Sequence, residues 1–197
     1  MQAFREPERI ELDGGELLYW AQYFPSEHAQ QMFELLRQQL AWQQPTLRIM
    51  GKQHPIPRFQ AWHGDEAASY RYSGRTFQPA PWTEALDTCR GRLPETLGGF
   101  NSVLANWYQH GQHSMGMHSD DEPELGERPT IAALSFGYPR TLVFKHKKTG
   151  ESLKIAPKSG SLLVMRGETQ DHWRHGINKT KRSVGQRISL TFRNILI

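Results

Sequence analysis

His118-Ser119-Asp120, with His175 well downstream and then Arg187-Ile188-Ser189-Leu190-Thr191-Phe192-Arg193, is the pattern from which the rest of the chain can be read. On an extended strand, residues two apart point to the same side. The spacing therefore predicts that His118 and Asp120 grip one metal ion from a single strand. A histidine arriving from a neighbouring strand completes two imidazoles and one carboxylate, the donor set of a facial Fe(II) site with positions left open for a co-substrate and dioxygen. Arg187 and Arg193 supply fixed forks of N–H donors suited to a dicarboxylate. An H-x-D tripeptide alone is common, and most of the nine histidines are expected at the surface or in hydrogen bonds. The ordered set carries the reading. His172 and His175 both stand in Asp171-His172-Trp173-Arg174-His175-Gly176. Their odd spacing sends them to opposite faces of an extended segment, so one of the two faces the metal. Spacing does not choose between them.

The 197 residues suit one domain spanning 1–197 with a core of real size. An apolar fraction of 37%, with six Trp, nine Phe and six Tyr, excludes a disordered chain. Cys89 is the one cysteine, so no internal disulfide and no cysteine zinc cluster can form; we expect a structural thiol on a helix. No stretch approaches the ~20 apolar residues of a membrane span, and Met1-Gln2-Ala3-Phe4-Arg5-Glu6-Pro7 lacks the apolar core of a signal peptide. The expectation is a monomer inside the cell, cytoplasmic, or nuclear in a eukaryote.

Charge is unevenly placed. Lys+Arg exceed Asp+Glu by 24 to 20, a net +4, and the pI is near 9.3. Residues 140–158 carry Arg140, Lys145, Lys147, Lys148, Lys154 and Lys158 against Glu151 alone, and residues 174–187 carry five cations and no acid. Asp120, Asp121, Glu122, Glu124 and Glu127 gather beside the expected metal. A cationic rim around an acidic centre suits a polyanionic substrate; a solvated hairpin with scattered lysines is the plainer alternative.

Along the chain, Pro25-Ser26-Glu27 reads as a helix start with Ser26 as N-cap. Ala29, Met32, Phe33, Leu36 and Leu40 keep helical spacing to about Trp42. A second helix is predicted from Pro81-Trp82-Thr83-Glu84 through Leu86 toward Leu93. Residues 46–80 read as extended and turn-rich. From Phe100 onward, Phe100–Tyr108, Thr130–Phe136, Thr141–Lys145, Ser152–Ile155, Ser161–Met165 and Gln186–Phe192 each suit a strand. The fold class is therefore mostly β with flanking helices, an N-terminal helical and loop layer leading into an antiparallel system. Eight-stranded jelly rolls suit such sequences and place ligands in the mouth between sheets.

Asn106-Trp107-Tyr108, His118-Ser119-Asp120-Asp121-Glu122, Ser135-Phe136-Gly137, Gly160-Ser161-Leu162-Leu163, His172-Trp173-Arg174-His175 and the R-x-x-L-T-F-R run closing at Arg193 together resemble the AlkB family of Fe(II)/2-oxoglutarate-dependent dioxygenases, which dealkylate nucleic acids. The similarity spans roughly residues 45–196 and looks closest to the DNA-repair branch. The resemblance implies a double-stranded β-helix (jelly-roll) core with N-terminal helices and a nucleotide-recognition lid over residues 45–80. It implies His118, Asp120 and His175 as iron ligands, and Asn106, Tyr108, Arg187, Ser189 and Arg193 around 2-oxoglutarate. Ser189 departs from the family's common Asn, so a shifted or water-mediated contact is expected there. Pro57-Arg58-Phe59-Gln60-Ala61 and Tyr70-Arg71-Tyr72-Ser73-Gly74 resemble the lid, which implies Arg58, Tyr70 and Tyr72 at the flipped-base pocket and Glu122 and Asp121 against the polar edge of a cationic base. Met50 stands where duplex-acting relatives carry a bulky aromatic wedge, and an apolar wedge can hold open stacked bases. A half-buried aromatic strand at Tyr70 and Tyr72, and an ordinary hydrophobic strand at Met50, are the plainer alternatives.

The function so implied is oxidative demethylation of bases such as 1-methyladenine or 3-methylcytosine in DNA, single-stranded and also double-stranded, with Fe(II), 2-oxoglutarate and O2 as cofactors and formaldehyde, succinate and CO2 as products. Three competitors stand beside it: an RNA or tRNA demethylase, a 2-oxoglutarate oxygenase of a small molecule or protein, and a non-catalytic nucleic-acid-binding module.

Overall fold

The computed structural model describes residues 6–49, 51–72 and 75–196. Strands β1 (Glu8–Leu12) and β2 (Gly15–Trp20) form a hairpin ahead of helix α1 (Ser26–Gln39). Two further hairpins, β3 (Thr46–Ile49) with β4 (Lys52–Pro55) and β6 (Tyr70–Tyr72) with β7 (Arg75–Phe77), flank β5 (Phe59–Gly64). Helix α2 (Glu84–Gly91) leads to β8 (Ser102–Tyr108) and β9 (Met115–His118). Strands β10 (Ile131–Gly137), β11 (Leu142–His146), β12 (Ser152–Ile155) and β13 (Ser161–Arg166) follow. The single-turn helix α3 (Thr169–His172), β14 (Trp173–Ile177) and β15 (Arg187–Arg193) complete the order.

Seven strands pair in the order β1-β2-β13-β10-β15-β8-β5 and four in the order β12-β11-β14-β9. Alternation along the central strands sorts their side chains by face. Leu134, Phe136, Leu162, Val164, Ile188, Leu190 and Phe192 point to one side, where they pack with Met32, Phe33 and Leu36 of α1 and Leu86 and Cys89 of α2. Their neighbours on the opposite face, among them Ile131, Leu163 and Met165, join Phe144, Ile155 and Trp173 between the two sheets. The larger sheet is thus covered by helices on one face and by the smaller sheet on the other. This is the two-sheet jelly-roll arrangement expected from the strand pattern.

The helix starts obey local chemistry with one difference. Thr83 caps α2, its Oγ1 accepting from Leu86 N–H at 3.3 Å. At α1 the cap is Pro25, not Ser26, whose side chain makes no capping bond; the Pro25 carbonyl accepts from Ala29 N–H at 2.8 Å. Just before β13, Gly160 has φ +77°, and a Cβ there would lie 2.7 Å from the Phe24 carbonyl and 3.0 Å from Ala29 Cβ. Only glycine lets the chain turn left-handed while α1 sits this close.

The N-terminal hairpin is the main departure from the sequence reading, which placed loops and helix there. Asp13-Gly14 turns the chain tightly, and β2 pairs with β13 over Trp20↔Leu162 to Glu16↔Arg166. The outer strand β1 carries Glu8, Arg9 and Glu11, charges that blunt an exposed sheet edge and that mask its weak apolar alternation. Cys89 is fully buried, and burial pushes its thiol up to about 12. The folded protein is expected to resist iodoacetamide at mildly alkaline pH and to react once denaturant exposes the residue. Rapid labelling of the native protein would contradict this packing.

Candidate active site

Strands β9 and β14 build the centre. They pair antiparallel with His118 directly opposite His175, so two imidazoles meet across neighbouring strands with ring centroids 4.4 Å apart. The register shifts just beyond, between His175 and Ile177. Gly176 permits the close approach, because a Cβ there would lie 2.9 Å from the Met115 and Gly116 carbonyls. β9 ends at His118, so Asp120 does not share a strand with His118 as the spacing predicted. It reaches the same place from the loop after β9, where its N–H donates to Gln170 Oε1 and Ser119 Oγ donates to the Trp173 carbonyl. The choice between the two neighbouring histidines is also resolved. His172 lies on α3, its Nε2 is 3.2 Å from Glu168 Oε2, and His175 faces the cluster.

One ligand atom from each of His118, Asp120 and His175 lies within 4.8 Å of the others. His118 Nδ1 is 2.9 Å from the Gly116 carbonyl. A carbonyl only accepts, so Nδ1 carries the proton and Nε2 offers its lone pair. Burial pushes His175 down to about 4, leaving it neutral near pH 7 and able to ligate. Burial alone would push the Asp120 carboxyl up, but Arg193, with help from His175 and His118, brings it below its ordinary value. Arg193 Nη2 hydrogen-bonds Asp120 Oδ1, and Asp120 Oδ2 is buried without a hydrogen-bond partner, 3.5 Å from His175 Nε2. A buried carboxylate oxygen beside two imidazoles, with no hydrogen bond of its own, suits a cation. The donor set fits Fe(II) with open positions.

Strands β8, β10 and β15 form the opposite wall. Their registers align Asn106 with Ser189 and Ser189 with Ser135, and Tyr108 with Arg187. All five residues line one pocket with the His–Asp–His cluster. Arg187 is 3% exposed; its Nη2 donates to Ser135 Oγ at 3.0 Å, while Nε and Nη1 find no partner. A guanidinium buried with two unpartnered nitrogens is shaped for a carboxylate. Ser189 Oγ stands 3.5 Å from Arg187 Nη2, at the limit of a hydrogen bond. Burial pushes the Tyr108 phenol up, so it stays protonated and able to donate.

Several expected substrate residues fall elsewhere. Arg58 does not line this pocket but donates from Nε to Asn106 Oδ1 at 2.8 Å, which ties the segment just ahead of β5 to β8. Asp121 turns outward, 3.4 Å from Lys147 Nζ, and Glu122 is exposed beside it. Met50 and the side chains of Tyr70 and Tyr72 lie outside the described residues. Sequence reading missed Gln170, which is 1% exposed and accepts from Asp120 N–H at 2.9 Å. Its separation from Asp120 in the chain leaves no local signal.

A jelly roll with a buried two-histidine, one-carboxylate cluster facing a buried arginine defines a mononuclear non-haem iron oxygenase. Residues 16–193 match the model of the 2OG-Fe(II) oxygenase superfamily. The chain is 38% identical over 185 residues to the mouse DNA oxidative demethylase ALKBH2, which spans 88% of this chain and 77% of that protein. It is 38% identical over 180 residues to the rat alpha-ketoglutarate-dependent dioxygenase alkB homolog 3, spanning 86% of this chain and 60% of that protein. The solved structure of OsALKBH1 superposes with a TM-score of 0.65 at 16% identity, covering 94% of this chain and 100% of that one, a likeness of fold. The chain belongs to the AlkB family within the 2OG-Fe(II) oxygenase superfamily. Fe(II), 2-oxoglutarate and dioxygen are the reagents of that family.

Removing the cation that neutralises Asp120 tests the electrostatics directly. Arg193→Met leaves the buried Asp120 carboxylate without its guanidinium partner, and the metal-free protein is expected to lose ~3–5 kcal/mol in urea unfolding. Added Mn(II), which supplies the missing charge, should recover part of that loss. A urea midpoint unchanged by the substitution would contradict the assigned pairing.

Proposed function

We propose that the chain, as an intracellular monomer, demethylates N-alkylated bases in DNA, 1-methyladenine and 3-methylcytosine foremost. The observation that carries the reading is the placement of the His118–Asp120–His175 cluster and the idle Arg187 donors on facing walls of one pocket. In this reading His118, Asp120 and His175 hold iron. Arg187 pairs with one carboxylate of 2-oxoglutarate, assisted by Tyr108 and Ser189. Asn106 and Arg193 border the other end, with Arg193 also holding Asp120 ionised. Iron with 2-oxoglutarate bound supplies the oxidising power that couples O2 to hydroxylation, one oxygen atom leaving in succinate as CO2 is lost. The N-methyl carbon gains the other oxygen. The resulting N-hydroxymethyl group then loses its hydroxyl proton to solvent and breaks its C–N bond, giving formaldehyde and leaving the electron pair on the now neutral base nitrogen.

DNA as substrate is supported by the name of the ALKBH2 relatives, DNA oxidative demethylase, and by charge. On the outer face of the smaller sheet, Lys145 stands directly opposite Arg174, and Lys154 pairs one row away with Val143. All three are exposed, and none forms an ion pair among the described residues. Like charges directly opposite repel, and a phosphate backbone relieves that repulsion. The lesion must leave the base stack to enter the pocket, which costs a few kcal/mol and least for a damaged or unpaired base. The lid over residues 45–80, with Tyr70, Tyr72 and Met50, would receive it. The large exposed apolar residues Leu35, Met117, Tyr138 and Leu196 are scattered over separate elements, which supports a monomer.

Formaldehyde release is the decisive assay, run with Fe(II), 2-oxoglutarate and ascorbate on matched single-stranded DNA, duplex DNA and RNA carrying each methylated base. Release from DNA, lost in Asp120→Ala, is expected. Release from RNA alone would overturn the DNA assignment, and full activity in Asp120→Ala would overturn the iron site.

A further inference from the structure

We infer that Gln170 is a positioning residue that sets the distance between two of the proposed iron ligands, Asp120 and His175. The inference rests on the iron-site reading above and adds a residue outside the ligand set. β9 ends at His118, so no sheet bond holds the loop that carries Asp120. Three side chains tie it instead to the segment just ahead of His175. Ser119 Oγ donates to the Trp173 carbonyl at 2.9 Å. The buried Asp120 N–H donates to Gln170 Oε1 at 2.9 Å. Lys147 Nζ bridges the Gln170 carbonyl at 2.8 Å and Asp121 Oδ2 at 3.4 Å.

The central tie is the one that water cannot replace. Gln170 and Asp120 are each 1% exposed, and a buried N–H without an acceptor is costly. The amide's orientation is fixed by what surrounds it. A backbone N–H can only donate, so it takes Oε1; the Met165 thioether can only accept, and Nε2 lies 3.6 Å from its sulfur. Gln170 sits on α3, which runs directly into β14. A shift of α3 therefore moves Asp120 and His175 together, and the ligand spacing is preserved. Partners of this kind, one step behind the ligands, usually contribute roughly 10- to 100-fold to metal affinity.

The test is anaerobic calorimetric titration of the full chain with Mn(II), paired with urea unfolding of the metal-free protein. Gln170→Met, which keeps length and removes the acceptor, is expected to weaken Mn(II) binding roughly 10- to 100-fold. Gln170→Glu, which keeps an acceptor oxygen in place, is expected to restore most of it, although both variants alter metal-free stability. A residue that merely fills space would move stability in both without this split. Lys147→Met, at the partly exposed end of the same clamp, is expected to weaken binding by a smaller factor and reports on the clamp should Gln170→Met not fold. Wild-type affinity in Gln170→Met, or in Lys147→Met if the former does not fold, overturns the inference. Asp120→Ala in the same titration separates the two readings: undiminished binding there means that the iron site itself is misassigned, whatever Gln170 does.

Discussion

A buried ion pair between Asp120 and Arg193 is the contact around which the molecule is arranged. Asp120 comes from the loop after β9 in the smaller sheet, and Arg193 closes β15 in the larger one, so the pair joins the two sheets across the cavity that separates them. Charges this deep persist only when paired and hydrogen-bonded. The pairing leaves one Asp120 oxygen without a hydrogen-bond partner and pointed at two imidazoles. The remaining need is for a cation. The jelly roll thus carries an unbalanced polar centre inside an otherwise apolar sandwich, and the residues lining it follow from alternation along β8, β10, β14 and β15.

The same centre shows a division of labour between the sheets. The smaller sheet and its loop present imidazole and carboxylate donors suited to a metal; the larger sheet presents Arg187, with two unpartnered nitrogens, suited to an anion. A co-substrate carrying two carboxylates and able to reach both walls satisfies the two demands at once. Arg58, bonded to Asn106, ties the segment just ahead of β5 to β8 in the wall that carries Arg187.

Much of this was legible in the sequence, where local rules apply. Six strands from Phe100 onward lie within a residue or two of their expected bounds, because two-residue alternation and glycine-bearing turns are local signals. The alternate placement of Arg187, Ser189, Thr191 and Arg193 on one face follows from the same period. His118 and Asp120 do converge, but the reason differs: the strand stops at His118, and the loop beyond it is held from α3. That tie joins residues remote in sequence, so no spacing rule reveals Gln170. The β1–β2 hairpin escaped notice because its outer strand is guarded by charges that dilute the apolar alternation. The lone choice between His172 and His175 needed the family resemblance, and the structure gives its physical basis in the short helix that turns His172 toward Glu168.

The central claim is that one pocket binds a metal and 2-oxoglutarate side by side through opposite walls. The most direct measurement is the affinity for 2-oxoglutarate under anaerobic conditions, with and without saturating Mn(II), in the wild type and in Asp120→Ala. Shared coordination predicts that the metal tightens 2-oxoglutarate binding by about 5- to 150-fold, the usual range for coupled sites, and that this coupling disappears in Asp120→Ala. Equal affinity with and without metal, or coupling that survives the loss of Asp120, would contradict the account.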